Sequence, residues 1–288
     1  MIQTQWNISW HHAVLQIPAI WTQHITGSGT TVALLDTGLA APSGLDRSDF
    51  EYLDGHGNAI GPGDQDGHGT CCASLIANYR GGVLGIAPYA KIVSFRVLGT
   101  GDSVGDIQAA FDYILRRRPD IDVVSCSFVM SRVVDSIQSA VRDLVNSGRV
   151  VVAAAGDNNQ YSSPFPELTP NVLTVAAVDA TNRPLDGARI GTWIDCAAPG
   201  DKLPVMLPGS GGTGLFGESS AAAAVVSGVT ALVLSSITDQ ALRRRFSVGF
   251  EGLVKKTATA LPSDDPDAIG RGLINPTALL AAAMATSG

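Results

Sequence analysis

Short apolar runs alternate with amphipathic segments along most of the chain. The runs are apolar at successive positions rather than at every second position, which is typical of strands buried on both faces of a parallel sheet. They cover residues 31–35, 91–98, 121–128, 150–155 and 172–178. We therefore predict a parallel central sheet built from these strands.

The segments between the apolar runs have the periodicity of helices. Residues 104–118 end before Pro119, and residues 133–147 end before Gly148, a residue that commonly terminates helices. Further helices are predicted over 71–78 and 221–234. Alternation of strand and helix indicates an α/β domain with functional groups at the carboxyl ends of its strands. With no repeat and no linker, we expect one domain over 1–288.

Composition narrows the classes of function. Of 288 residues, 45% are hydrophobic and 16% charged, which favours a large core and excludes intrinsic disorder. The net charge of −7 argues against nucleic acid as a partner. The apolar run 221–234 is shorter than the ~20 residues of a membrane span and is interrupted by Ser227, Gly228 and Thr230.

The chain shows no secretion signal and no disulfide pattern. Its first residues have neither a basic start nor an apolar core, so no signal peptide is visible and a cytoplasmic location is predicted. The cysteines at positions 71, 72, 126 and 196 lie in apolar contexts, where we expect them to be buried and unpaired.

Three polar residues lie at or near the ends of predicted strands and helices, where we expect functional groups. Asp36 follows the first strand, where a carboxylate can orient a histidine. His68 is flanked by Gly67 and Gly69, which leave its ring accessible. Ser220 lies in the first turn of an apolar helix, where unpaired N–H groups favour a developing oxyanion.

Taken together, Asp36-Thr37-Gly38, His68-Gly69-Thr70 and Ser220 before its small-residue helix resemble the subtilases, the subtilisin-like serine proteases. The chain order Asp, His, Ser agrees with that family. The resemblance implies a three-layer subtilisin-like α/β fold with a mainly parallel sheet flanked by helices, and endopeptidase activity on peptide or protein substrates. It also implies that Ser220 is the nucleophile, that His68 is the general base and that Asp36 orients His68. A His68 nitrogen should then lie within hydrogen-bond reach of both partners.

The oxyanion position departs from the family pattern. Where the family has asparagine after Ala-Ala-Gly, this chain has Asp157, followed by Asn158. An ionised aspartate cannot donate a hydrogen bond and would repel an oxyanion, whereas a protonated Asp157 could donate one. A shift of one residue would instead present Asn158, so both residues are candidates.

The serine motif also departs from the family's Gly-Thr-Ser-x-Ala-x-Pro. Alignment on the helix places Glu218 at the glycine, Ser219 at the threonine and Ser220 at the nucleophile. The competing register makes Ser219 the nucleophile. We favour Ser220, because only that register keeps both the preceding hydroxyl residue and the downstream helix.

The resemblance further predicts a substrate-binding strand. The family's Ser-Leu-Gly-Gly is replaced here by Ser127, Phe128, Val129 and Met130. The bulk of Val129 and Met130 in place of glycine predicts a narrowed pocket and restricted specificity. Gly156 and Ser103 complete the set of expected substrate-binding residues.

No cofactor is expected. Many subtilases hold calcium in a loop after the histidine helix, but here that loop, residues 77–82, contains no carboxylate. Calcium prefers several oxygen ligands, so we predict that this site is absent. The function predicted is that of a processing protease of restricted specificity, and the alternative is a catalytically weak or inactive subtilase fold that binds a partner.

Overall fold

A seven-stranded parallel sheet forms the middle of the molecule. The computed structural model describes residues 7–41, 50–78, 82–132, 134–157, 165, 169–209, 212–262 and 265–287. Within the sheet the strand order is β2-β3-β1-β4-β5-β6-β7, and each of the six neighbouring pairs is parallel. The strands are β1 (Thr31–Asp36), β2 (Phe50–Asp54), β3 (Lys91–Arg96), β4 (Val123–Cys126), β5 (Val150–Ala154), β6 (Leu173–Val178) and β7 (Cys196–Pro199).

Helices cover both faces of this sheet. They are α1 (Trp10–Val14), α2 (Ile17–Trp21), α3 (His68–Ile76), α4 (Ser103–Arg117), α5 (Asp135–Asn146), α6 (Glu218–Leu234), α7 (Gln240–Ser247), α8 (Phe250–Thr257) and α9 (Pro276–Ser287). Residues of α3 and α6 share one core cluster with Val32 and Leu34 of β1. Residues of α4 and α5 share the other cluster with Ala33 and Leu35. The predicted three-layer α/β fold is confirmed.

The central strands are buried along their whole length. All six residues of β1 and all five of β5 are buried, as a strand covered by helices on both faces requires. The strands β3 and β4 are shorter than their apolar runs, because the ends of 91–98 and 121–128 continue as loops beyond the sheet. An antiparallel hairpin of β8 (Leu203–Met206) and β9 (Thr213–Phe216) leads from the sheet into α6.

The helix that carries His68 begins earlier than predicted. Its sequence pattern indicates 71–78, whereas α3 runs from His68 to Ile76. Gly67 before it has a φ of 95°, a left-handed conformation that glycine adopts without steric cost. The chain therefore turns sharply into the helix, and His68 becomes its first residue.

Two other sequence-based predictions concern the cysteines and the membrane. The four cysteines are all free and buried, as predicted. In the part of the chain that the structure describes, no helix combines the length and the apolar character needed to span a bilayer. The loop expected to lack a calcium site includes residues 79–81, which lie outside the described residues.

Candidate active site

Asp36 and His68 meet at the carboxyl end of β1. Asp36 is fully buried, and its Oδ1 accepts hydrogen bonds from His68 Nδ1 at 2.7 Å and from the Thr37 amide at 2.8 Å. A carboxylate on Nδ1 selects the tautomer whose free lone pair is on Nε2. The histidine therefore presents Nε2 as an available base.

A close contact between β1 and α3 makes this hydrogen bond possible. A Cβ placed on Gly69 would lie 2.1 Å from the carbonyl oxygen of Gly38 and 3.1 Å from Cβ of Asp36. Only a hydrogen atom fits at that distance. Gly69 thus lets the helix approach the strand closely enough for His68 to reach Asp36.

Several carboxylates near His68 affect the pKa of its imidazole. Burial lowers its pKa, but the hydrogen bond and charge of Asp36, together with the charges of Asp66 and Asp64, outweigh burial, and the pKa is raised. The His68 ring also packs edge-to-face against Phe216, with ring centroids 5.2 Å apart. The site therefore stabilises the imidazolium that forms when His68 accepts a proton.

Ser220 lies in the first turn of α6, half-buried, with its side chain directed to β4. Its Oγ donates to the Ser127 carbonyl at 3.1 Å, and the Ser127 hydroxyl donates to the Ser220 carbonyl at 3.0 Å. Of the two contacts expected for His68, the hydrogen bond with Asp36 is present. Among the described residues no hydrogen bond joins His68 to Ser220. The amide of Ser220 belongs to the first turn, so it has no partner within the helix.

Ser219, the other candidate nucleophile, is 2% exposed and its hydroxyl is fully engaged. It donates to Asp157 Oδ2 at 2.7 Å and accepts from the Gly156 amide at 3.1 Å. These contacts leave Ser220 as the more accessible hydroxyl of the two. They favour the register in which Ser220 is the nucleophile.

Asp157 contacts the start of α6. Its Oδ1 accepts from the Ser219 amide and its Oδ2 accepts from the Ser219 hydroxyl, both at 2.7 Å. These contacts differ from the expectation that Asp157 donates to an oxyanion, because both oxygens act as acceptors and stabilise the helix N-terminus. Asn158, the alternative donor, lies outside the described residues.

The expected substrate strand divides into exposed and buried side chains. Val129 is 42% exposed, whereas Met130 is buried in the core shared with α4 and α5. Phe128 is half-buried and stacks on Phe165 at 5.7 Å. Only Val129 of the bulky pair can therefore face a bound peptide. Ser103 begins α4, at the end of the loop that follows β3.

Sequence reasoning missed Arg189, which packs against Gly156. Its Cδ would lie 2.7 Å from a Cβ on Gly156, and Val129 Cγ1 would lie 3.2 Å from the same position. Arg189 Nη1 donates to the Ala155 carbonyl at 3.3 Å, and its guanidinium lies 4.7 Å from the centroid of Trp193. No motif marks this arginine, since its position depends on the loop after β6.

A cavity of about 830 Å³ is bordered by Thr37 and Asp66, which lie within two residues of Asp36 and His68 in the chain, and was also missed from sequence. Its wall combines the turn after β1, the loop before α3 and the loop after β3. The lining residues are Thr37, Gln65, Asp66, Arg96, Leu98, Gly99 and Thr100. The cavity is large enough to accept a substrate side chain next to the histidine.

One group of described residues offers metal-ligand geometry. Asp36, His68 and Cys72 each place one ligand atom within 4.8 Å of the others. The Sγ of Cys72 lies 3.8 Å from His68 Nδ1. Burial raises the pKa of the Cys72 thiol well above its ordinary value, so the thiol is protonated and is a poor metal ligand in this state.

Two solved protease structures share this fold. "MycP3 protease from the type VII (ESX-3) secretion system" superposes with a TM-score of 0.77, at 28% identity over 95% of this chain and 88% of that chain. "MycP1 with the N-terminal propeptide removed" gives a TM-score of 0.74, at 25% identity over 94% of this chain and 96% of that chain.

A third comparison corrects the predicted location. "Extracellular protease" from Xanthomonas campestris pv. campestris is 31% identical over 338 aligned positions, which cover 98% of this chain and 56% of the relative. A relative with this name contradicts the cytoplasmic location predicted from the N-terminal residues. That prediction is wrong. Its only basis was the absence of a visible signal peptide in the N-terminal residues.

Sequence comparison agrees with the geometry of the site. The model of the subtilase family matches residues 27–271, which include Asp36, His68 and Ser220. "Subtilisin Savinase" from Lederbergia lenta is 31% identical over 274 residues, covering 93% of this chain and 97% of the relative. The chain therefore belongs to the subtilase family of serine endopeptidases.

Proposed function

We propose that Asp36, His68 and Ser220 form the catalytic triad of a processing endopeptidase of restricted specificity. The observation that carries this proposal is the 2.7 Å contact between His68 Nδ1 and buried Asp36, which leaves Nε2 available as a base. The remaining requirement is that Ser220 Oγ leaves the Ser127 carbonyl and turns towards Nε2. Catalytic hydrogen bonds are often formed only when substrate is bound.

In the proposed reaction, Ser220 Oγ attacks the carbonyl carbon of the peptide bond while His68 Nε2 takes its proton. The tetrahedral intermediate collapses, the C–N bond breaks and His68 gives the proton to the leaving amine. Water then attacks the acyl-enzyme by the same route and releases Ser220. Asp36 stabilises the imidazolium in both halves of the reaction.

The oxyanion needs at least one donor, and the Ser220 amide meets this requirement. It lies at the positive end of the α6 dipole and lacks a partner within the helix. The second donor is proposed to come from Asp157, if it is protonated, or from Asn158. The contacts of Asp157 with Ser219 support the second of these alternatives.

Restricted specificity is supported by the side chains around Gly156. Val129 and Arg189 approach this glycine from two sides, so the space beside its backbone is already filled. A substrate side chain placed there must be small. One structural neighbour is a protease from a secretion system, which fits an enzyme that matures a few protein substrates.

A serine-directed fluorophosphonate probe tests the proposal. We expect labelling of the wild-type protein, loss of labelling in Ser220→Ala and retention in the control Ser236→Ala, whose hydroxyl binds the Val233 carbonyl beyond the site. Labelling lost in Ser219→Ala but kept in Ser220→Ala would move the nucleophile to Ser219. A folded wild-type protein that neither labels nor cleaves casein would leave the alternative function, partner binding without catalysis.

A further inference from the structure

Arg96 lies in the wall of the cavity that Thr37 and Asp66 border. It ends β3 and pairs in register with Asp36 of β1. The residue is half-buried, and its guanidinium has no hydrogen bond or ion pair with any residue in the described ranges. Its five N–H donors therefore have no acceptor among the described residues.

The acids near Arg96, which include its β2 register partner Asp54, accept hydrogen bonds from other groups, although Oδ2 of Asp36 is buried without a hydrogen-bond partner among the described residues. Asp36 accepts from His68 and Thr37, and Asp66 accepts from the His68 amide at 3.2 Å. Asp64 accepts from the Thr37 hydroxyl, the Gly67 amide, and the amide and hydroxyl of Thr70. These hydrogen bonds hold the three carboxylates in the turn around His68. The guanidinium thus remains available to a ligand.

The cavity also has room for such a ligand. Its volume of about 830 Å³ exceeds that of any amino-acid side chain, and Leu98, Gly99 and Thr100 line it together with Gln65 and Asp66. Arginine binds carboxylates bidentately, and a half-buried position is less screened by salt than an exposed one. A carboxylate is therefore the ligand group that best satisfies Arg96.

We propose that Arg96 is a specificity-determining residue that binds the carboxylate side chain of an aspartate or glutamate in the peptide substrate. The proposal rests on the function proposed above, because it assumes that the peptide crosses His68. It differs from the small-residue requirement at Gly156, which concerns Val129 and Arg189 rather than the residues of the cavity. The enzyme would select substrates with an acidic residue within a few positions of the bond that is cleaved.

The first test is a cleavage profile. A peptide library, made by digesting denatured bacterial protein with a lysine-specific protease, is incubated with the wild-type protein, Arg96→Gln and Arg142→Gln. Arg142 is an exposed arginine on α5, so this variant removes the same charge away from the cavity. We expect acidic residues to be enriched at one position for the wild type and Arg142→Gln, and this enrichment to disappear in Arg96→Gln. No enrichment in the wild type, or unchanged enrichment in Arg96→Gln, would overturn the assignment.

The second test measures the preference and separates it from catalysis. Two blocked peptides, with acetylated N-termini and amidated C-termini, differ only by Glu or Gln at the enriched position. We expect kcat/KM to favour the Glu peptide about tenfold in the wild type, to become equal in Arg96→Gln and to favour a Lys peptide in Arg96→Glu. The preference should fall as salt is raised.

The same peptides are then bound to Ser220→Ala, which needs no turnover. We expect the Glu peptide to bind about tenfold more tightly, and this difference to vanish in the double variant with Arg96→Gln. Binding preference without any cleavage by the wild type would refute the proposed protease function and leave Arg96 as a carboxylate site. Equal binding of Glu and Gln peptides would refute the role of Arg96 while leaving the protease function untouched.

Discussion

At the scale of single residues, the proposed activity depends on the protonation state of His68. The imidazole must be neutral to accept the proton of Ser220, yet Asp36, Asp66 and Asp64 favour its charged form. Their combined effect exceeds that of burial, which acts in the opposite direction. The acids that hold His68 in place therefore also set the lowest pH at which it can act.

We predict that kcat/KM rises with pH through a pKa above the ordinary value of about 6.5 for histidine. Asp66→Asn should shift this rise in kcat/KM to lower pH, because it removes a charge that raises the pKa of His68. The rise, called the acidic limb, is measured as kcat/KM for peptide cleavage at several pH values. Asp143→Asn, an exposed acid on α5, is the control and should leave the profile in place; an unmoved limb in Asp66→Asn would contradict the prediction.

A second prediction concerns Asp157, whose carboxylate lies beside the position proposed for the oxyanion. In Asp157→Asn the amide oxygen can still accept from the Ser219 amide, while the new NH₂ group can donate. We expect turnover at high pH to rise about tenfold or more, because a repelling charge is replaced by a donor. Steady-state kinetics from pH 7 to 10 measure this change.

Asp157→Ala serves as the comparison for that variant. It removes the charge and also both acceptors of Ser219, so we expect a stability loss of about 1 kcal/mol, typical of a lost helix cap. It supplies no donor and should give less gain in turnover than Asp157→Asn. Equal turnover in the two variants would show that the charge alone matters.

At the scale of elements, the distance between β1 and α3 determines whether the site forms. The helix begins at His68 after the left-handed turn at Gly67, and its second residue touches the carbonyl of Gly38. The contact at Gly69 tolerates no side chain. The geometry of Asp36 and His68 thus depends on the packing of a helix against a strand.

Gly69→Ala should therefore reduce activity strongly. A Cβ at 2.1 Å from the Gly38 oxygen must push α3 away, and a displacement of about 1 Å at a reacting group costs roughly 100-fold in rate. Peptide cleavage and thermal unfolding measure the two effects. Gly61→Ala is the matched control, since a Cβ there meets no atom within 4 Å and its activity should be retained.

At the scale of the whole molecule, a buried histidine pair ties the N-terminal helix to the core. His11 and His12 on α1 are at most 1% exposed, and their ring centroids lie 3.9 Å apart. The Ser9 hydroxyl contacts Nδ1 of both rings, and His12 Nε2 contacts the Leu84 carbonyl at 3.1 Å. Nε2 of His11 is buried without a hydrogen-bond partner in the described part of the chain.

This pair should make stability depend on pH. Burial lowers the pKa of His11 to about 2, helped by the charge of His12, and burial lowers the pKa of His12 to about 4. Below pH 6.5 the unfolded chain binds protons that the folded protein does not. Each histidine therefore contributes stability that is present above pH 6.5 and is lost as the pH falls towards its folded pKa, by up to about 1.4 kcal/mol per pH unit.

His11→Phe should flatten this dependence, because it keeps a ring of similar shape and removes one titrating group. Urea unfolding at several pH values between 7.5 and 5 gives the slope of the unfolding free energy against pH. His24→Gln, an exposed histidine, is the control and should retain the wild-type slope. A slope unaffected by His11→Phe would mean that the pair does not set the acid sensitivity.

Much of the fold follows from the sequence through the periodicity of its apolar residues. Runs such as 31–35 and 150–155 must be covered on both faces, and only a parallel sheet between helices covers several of them. The residues Asp36, His68 and Ser220 are also visible in the sequence, since each lies where an element begins or ends. These features depend on local patterns, which a single sequence contains.

The tertiary structure alone decided the contacts between distant segments. The Asp157 carboxylate turned to Ser219 at the start of α6, Met130 entered the core while Val129 stayed exposed, and Arg189 came to lie over Gly156. Arg96 was left without a partner among the described residues, in the wall of a cavity. Local sequence patterns do not predict these contacts. In each case several groups compete for the same hydrogen bond or the same space, and the packing of distant segments determines which group is within reach.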